Sequence, residues 1–149
     1  MEFTKPPSRR KGYRTLEVAQ NTKNPGIEWH LTNDRPVFIQ IMEKLKRDIV
    51  IGFYQPGDKL PSVRDLAGEA AVNPNTMQRA FSELEREGLV YTKRTSGRYI
   101  TEDIAMINQL KEQMALSAIS EFLNSMQQLG FSGEETLKLL RETLEEGTV

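Results

Sequence analysis

Between Asn73 and Ser82 the chain sets out a group of side chains suited to hydrogen bonding and to little else: Asn73, Asn75, Thr76, Gln78, Arg79 and Ser82. Amides, hydroxyls and a guanidinium offer the donor and acceptor patterns that match base edges and phosphate oxygens. The residues between them are apolar. Met77, Ala80, Phe81 and Leu84 fall at i, i+3, i+4 and i+7, the stripe of an amphipathic helix. The polar set therefore lies on the opposite face. Arg64 precedes it, and Lys93, Arg94 and Arg98 follow. A helical hairpin with a solvated outer face is the plainer reading of this stretch taken alone.

Catalysis is poorly served by the same sequence. It has no cysteine and one histidine, His30, so neither a Cys-based nor a His-cluster metal site is expected. Glu83, Glu85 and Glu87 lie along one helix with no partnered histidine, lysine nucleophile or Gly-rich phosphate loop beside them. No enzyme activity and no cofactor are expected.

The elements that must position the polar face are legible nearby. Ser62 can cap a first helix, with Asp65 three residues on as a capping-box partner, and Leu66, Ala67, Ala70 and Ala71 form its small apolar side. Asn73 is a favoured N-cap and Pro74 suits the first helical position, so the second helix spans 74–87, with Gly88 as its stop. Its N-terminus is expected to offer free N–H groups and a positive dipole end to a phosphate. Leu89 to Thr92 and Arg98 to Thr101 are short β-prone runs around a basic, turn-prone tip, which predicts a hairpin. Helix, turn, helix and basic hairpin make a winged helix-turn-helix, with wing 91–100.

At this level of detail the sequence resembles the GntR-type transcriptional regulators, most closely their YtrA-like branch. The resemblance runs from about residue 29 to 102. It is carried by Pro36, Gln40, Ile41 and Gly52, by the continuous segment from Pro56 to Ala67 (PGDKLPSVRDLA), and by Val72 to Phe81 (VNPNTMQRAF). Leu84, Glu85, Glu87 to Val90, Gly97, Tyr99 and Ile100 complete it. It implies a sequence-specific DNA-binding regulator, a repressor, that reads a palindromic double-stranded DNA operator. The DNA contacts it implies fall at Ser62, Arg64, Asn73, Asn75, Thr76, Gln78, Arg79, Lys93, Arg94, Gly97 and Arg98. The wing departs from the family's Arg-Gly-x-Gly-Thr pattern: Thr95 stands for the first glycine and Arg98 for the threonine. That departure supports the alternative of a winged-helix protein-interaction module without sequence-specific reading.

The rest of the chain divides around this module. Residues 1–26 are polar, interrupted by Pro and Gly, and read as a flexible extension, with a turn of helix at Thr15 to Ala19 and a basic cluster at Lys5 to Lys11. The DNA-binding domain spans 27–102. In it Ile27 to Leu31 reads as a strand, and a helix follows Pro36 with Phe38, Ile41, Leu45 and Ile49 inward. Glu43, Lys44, Lys46, Arg47 and Asp48 form its solvated face, with a Glu43–Arg47 pair. Residues 103–149 read as two helices that form a dimerisation tail, the first capped by Asp103 and running to about Leu129. The second opens on a Ser132/Glu135 capping box. The expected interface residues are Ile107, Leu110, Met114, Ala118, Ile119, Phe122, Leu123, Met126, Leu137, Leu140 and Leu144. Two helices of this length cannot bury so much apolar surface alone, which favours a homodimer over packing within one chain. An unidentified small-molecule effector is a further partner, with Met114, Phe122 and Met126 as a cavity lining; the plainer reading makes them core.

The overall picture is a mainly α protein with a small β wing: a winged helix-turn-helix domain followed by a short two-helix C-terminal dimerisation tail. Net charge is −1, yet residues 103–149 carry −5 and the first 102 carry +4. Phosphate neutralisation depends on local cations, so the total does not argue against DNA. No apolar run approaches the roughly 18 residues of a membrane span, and a cytoplasmic location is expected.

Overall fold

A computed structural model describes residues 28–147 of the chain. The expected strand ending at Leu31 is absent over residues 28–31, which run irregularly. The turn of helix at 15–19 and the basic cluster at 5–11 lie outside the described residues. Helix α1 (Val37–Val50) comes first, then α2 (Val63–Ala70) and α3 (Pro74–Arg86). A hairpin of β1 (Val90–Lys93) and β2 (Gly97–Ile100) follows, then α4 (Ile104–Gln128) and α5 (Gly133–Glu145). The chain forms two compact units, the first ending at Leu110 and the second beginning at Lys111.

The first unit is organised by α3. Met77, Ala80, Phe81 and Leu84 are all buried, and each is at most 1% exposed. They pack in one cluster with Ile41, Leu45 and Ile49 of α1, Leu66, Ala67 and Ala70 of α2, and Leu89, Val90 and Ile100 of the wing root. Truncating a buried phenylalanine such as Phe81 to alanine costs about 3–5 kcal/mol, a large part of a small domain's stability. Ile107 and Leu110 pack with this same cluster. Ile107, expected at an interface between chains, is therefore a core residue of the first unit, because the opening of α4 folds against it.

Two helix ends share one backbone device. At the end of α3, Leu89 N–H bonds to Leu84 C=O and Gly88 N–H to Glu85 C=O, with Gly88 at φ +86°. At the end of α2, Val72 N–H bonds to Ala67 C=O and Ala71 N–H to Gly68 C=O, with φ +59° at Ala71. Ala71 is the only non-glycine with positive φ among the described residues. The tight turn between α2 and α3 thus carries a Cβ where the left-handed region favours glycine.

The outer side of α1 is solvated only in part: Glu43 and Arg47 are exposed, Lys44 and Lys46 half-buried and Asp48 buried. Asp48 is fully buried and its Oδ2 accepts a 2.6 Å hydrogen bond from Lys44 Nζ, which also lies 4.7 Å from the centroid of the Trp29 ring. Glu43 pairs with Arg35 at 3.0 Å in place of Arg47. The reason is the segment before α1, which folds over that side of the helix. Gln40 holds it there, its Oε1 accepting from Thr32 N–H and its Nε2 donating to the carbonyls of Thr32 and Arg35.

In the second unit Ser132 accepts from Glu135 N–H while Glu135 accepts from Ser132 N–H, the reciprocal cap expected from sequence. Leu137, Leu140 and Leu144 of α5 line an open apolar groove with the stems of Arg141 and Glu145.

Burial pushes the Asp48 carboxyl up to about 6 and also lowers the Lys44 ammonium; the pair's attraction offsets only part of the desolvation. Asp48 therefore takes up a proton on folding. Its contribution to stability grows as pH falls through 6 and is complete below the ordinary value of 3.8. Relative to Asp48→Asn, the wild type should gain about 1 kcal/mol of urea-unfolding stability between pH 7 and pH 5. A constant difference across that range would show that Asp48 does not titrate there.

Candidate nucleic-acid interface

With one face of α3 buried, Asn75, Gln78, Arg79 and Ser82 form the exposed stripe at i, i+3, i+4 and i+7. Asn73 caps the helix, its Oδ1 accepting from Asn75 N–H at 2.7 Å. Its carbonyl accepts from Thr76 N–H at 2.9 Å and from Met77 N–H at 3.1 Å. Pro74 has no N–H. The free N–H groups expected at this helix end are thus consumed by Asn73, and what remains there is the Asn73 amide NH2 and the dipole. Thr76 is half-buried at the edge of the stripe. Gln78 donates to Ser82 Oγ at 3.2 Å, which leaves its carbonyl oxygen and second amide hydrogen facing outward.

Arg79 is held from the side. Its guanidinium carbon lies 3.7 Å from the centroid of the Phe38 ring of α1. Stacking uses the face of the guanidinium and leaves its N–H edge available. A stacked arginine also has less rotamer freedom to lose on binding. Arg64, in the first turn of α2, is exposed and has no ion pair among the described residues. Ser62 accepts from Asp65 N–H at 3.0 Å as the cap of α2, so its hydroxyl hydrogen is what it has to offer a ligand.

The wing is a two-stranded antiparallel hairpin with register Val90↔Ile100, Tyr91↔Tyr99, Thr92↔Arg98 and Lys93↔Gly97. Its root is tied to the loop before α2: Gly57 N–H to Ile100 C=O, Ile100 N–H to Asp58 C=O, and Leu60 N–H to Arg98 C=O. This ties the loop that leads into α2, whose N-cap is Ser62, to the wing root. Lys93 and Arg94 are exposed, with Lys93 Nζ 4.5 Å from the centroid of the Tyr99 ring. Gly97 has φ +122°, and a Cβ there would come within 3.1 Å of Lys59 Cε. Thr95 does not have positive φ, so replacing the family's first glycine imposes no backbone strain on this turn.

Arg98 does not join Lys93 and Arg94. It is about one-quarter exposed, lies 3.7 Å from Glu85 Oε1, and has its guanidinium over the Phe81 ring. The other carboxylates on the distal half of α3 are also paired, Glu83 with Arg86 and Glu87 with Lys46 at 2.9 Å. Arg47 of α1 and Arg141 of α5 have no acidic partner among the described residues, and around α3 the same holds of Arg64, Arg79, Lys93 and Arg94, with Lys59 beneath Gly97. This is the charge pattern that a phosphate backbone fits. Phe38, Lys59 and Glu85 had no site role in the sequence reading, because each acquires one only through a contact distant in the chain.

Residues 39–100 match the bacterial regulatory proteins of the gntR family. The HTH-type transcriptional regulator YhcF of Bacillus subtilis (strain 168) is 37% identical over 115 residues, covering 77% of this chain and 95% of that one. The chain belongs to the GntR family. The HTH-type transcriptional repressor YtrA of the same organism is a further relative, 42% identical over 85 residues, 53% of this chain and 65% of that one. A solved GntR family transcriptional regulator from Listeria monocytogenes superposes with a TM-score of 0.69 at 38% identity, over 75% of this chain and 98% of that one. The winged helix-turn-helix with C-terminal helices is thus a GntR architecture, and the chain is a DNA-binding transcriptional regulator and not an enzyme. Among the described residues no helix is long and apolar enough to cross a membrane.

The two positive-φ turns at the interface behave oppositely on substitution. Ala71→Gly should raise stability by about 0.5–1 kcal/mol, by removing the left-handed penalty less the entropy cost of glycine. Gly97→Ala should lower it by about 1–2 kcal/mol through backbone strain. Urea unfolding midpoints of the two variants check both signs.

Proposed function

We propose that the protein is a homodimeric repressor that reads a palindromic operator in the cytoplasm, each subunit placing α3 in a major groove. The charge pattern carries this reading: Arg64, Arg79, Lys93 and Arg94 lack acidic partners among the described residues, while the carboxylates on the distal half of α3 are neutralised within the fold. Arg64, Asn73, Asn75, Thr76, Gln78 and Arg79 contact DNA around the groove, with Ser62 and Gly97 at its margins. Lys93 and Arg94 bind phosphate or the minor groove. A repressor role is supported by the relative YtrA, which is named a transcriptional repressor.

The tail 103–149 supplies the dimer contact. Within the second unit Ile119, Phe122, Leu123, Leu137, Leu140 and Leu144 are each 39–55% exposed, and Ala118 is exposed beside them. Met114 and Met126 are half-buried. So much exposed leucine, isoleucine and phenylalanine on two short helices is what an interface leaves when its partner is absent. A second copy covers it, and the two-fold axis of that pairing matches the two-fold symmetry of a palindrome. Leu140→Glu, which places a charge in the apolar groove of α5, should convert the dimer to monomer by sedimentation with the fold of the first unit kept.

In vitro selection from a random duplex pool at fixed moderate salt tests the reading. A palindrome with half-sites about 10 base pairs apart, centre to centre, is expected. Gln78 should face adenine, whose N6/N7 edge matches its amide, and Gln78→Arg should shift that position toward guanine by about 1–3 kcal/mol. A flat selection with only salt-sensitive binding would overturn sequence-specific reading in favour of a protein-interaction module.

A further inference from the structure

The strand register puts Thr92 and Arg98 on the same sheet face as the buried pair Val90 and Ile100, while Tyr91, Tyr99, Lys93 and Gly97 share the other face. Thr92 and Arg98 are directly opposed, one on each strand of the wing. Both reach the same carboxylate on α3. Thr92 Oγ1 donates to Glu85 Oε2 at 2.7 Å, and Arg98 Nε lies 3.7 Å from Glu85 Oε1. The geometry points to Glu85 as a positioning residue: one carboxylate holds both strands of the wing against the recognition helix and so sets the angle between the two DNA-binding elements. Arg98 is then a strut of that joint and not a phosphate contact.

Three further observations support the assignment. The Arg98 guanidinium carbon lies 5.4 Å from the centroid of the Phe81 ring, which belongs to the buried side of α3. Arg98 Nε is buried and makes no hydrogen bond among the described residues, which leaves the partly exposed Glu85 carboxylate 3.7 Å away as its ion-pair partner. The Arg98 carbonyl is engaged by Leu60 N–H at 2.9 Å, which fixes the backbone from which the side chain departs. The two elements are also joined at their root, through Gly88 and Leu89 and through Val90 and Ile100, which pack in one cluster with Phe81 and Leu84. Backbone hydrogen bonds to the loop before α2 fix that root; farther out along the ribbon, Thr92 and Arg98 both reach α3 through Glu85.

This inference rests on the DNA-binding wing proposed above, and salt dependence separates the two. Binding of the full chain to a selected operator duplex and to an unrelated duplex would be measured across salt for Glu85→Ala, Arg98→Ala, Arg98→Met, their Glu85→Ala/Arg98→Ala combination, Lys93→Ala and Arg94→Ala. Arg98→Met keeps the apolar stem over Phe81 and guards against simple loss of fold. Glu85→Ala, Arg98→Ala and Arg98→Met should each weaken operator binding about three- to five-fold, the scale of one partly shielded ion pair, with no change in salt slope. The combination should be no weaker than either single alanine variant. Lys93→Ala and Arg94→Ala should each flatten the slope by about one unit.

A salt slope lowered by about one in Arg98→Ala, or tighter binding in Glu85→Ala, would overturn the positioning role and make Arg98 a phosphate contact. Unchanged slopes in Lys93→Ala and Arg94→Ala would instead remove the wing from the DNA. The joint can also be read without DNA. The sequence has no cysteine, so a fluorophore on Thr95→Cys reports the wing tip alone. Its anisotropy should fall in Glu85→Ala and hold in Lys93→Ala; equal anisotropy in all three backgrounds would overturn the inference.

Discussion

The fold depends on the burial of one stripe of α3. Met77, Ala80, Phe81 and Leu84 touch the core contributions of α1, α2 and the wing root together, so this helix cannot rotate about its axis without exposing all four. The hydrophobic effect acting on the inner face thereby fixes the orientation of the outer one. Asn75, Gln78, Arg79 and Ser82 are presented to solvent because their neighbours in sequence are held out of it. Recognition chemistry is in this sense a by-product of core packing, at a helix whose two faces have unrelated tasks.

Around that helix the structure manages charge with some economy. Carboxylates outnumber cations in the second half of α3, an arrangement that would repel a phosphate backbone if left open. Each carboxylate is instead matched within the fold, by Arg86, by Lys46, or by Thr92 and Arg98 together. The net charge of the domain is close to neutral, but the charge a polyanion meets is not, since Arg64, Arg79, Lys93 and Arg94 have no such partner among the described residues. Affinity for DNA is decided at this local scale, within roughly one Debye length of about 10 Å.

Much of this was legible in the sequence, and what was not has a common cause. The stripe of α3, the caps at Ser62, Asn73 and Ser132, and the stop at Gly88 are local: each follows from residues within one or two turns. The wing follows from its two short β-prone runs around a basic tip, and the family resemblance adds the order and spacing of the segments. The failures are long-range. Lys44 and Asp48 read as solvated because helical periodicity cannot reveal that Trp29 folds against Lys44 or that Asp48 is buried beside it. Arg98 read as a wing-tip cation because a four-residue strand has two faces, and only pairing with Thr92 beneath buried Val90 and Ile100 decides which one it takes. The supposed anion site at the start of α3 closed because Asn73, identified correctly as a cap, uses up the N–H groups that the site required. Ile107 was assigned to the tail because sequence marks where a helix begins but not where one packing unit hands over to the next.

The alanine at the turn between α2 and α3 bears on mechanics as well as stability. A Cβ in the left-handed region confines Ala71 to a narrow well near φ +59°, where a glycine would explore a much wider range. The turn is therefore a stiff hinge pin. Thermal motion of α3 relative to α2 is damped at the joint, and the phase between Arg64 on one helix and Arg79 on the other is kept. The genetic code puts alanine a single base change from glycine, so the relaxed, looser joint is always within easy mutational reach. A more stable protein whose Arg64 and Arg79 are held less firmly in register lies one such step away.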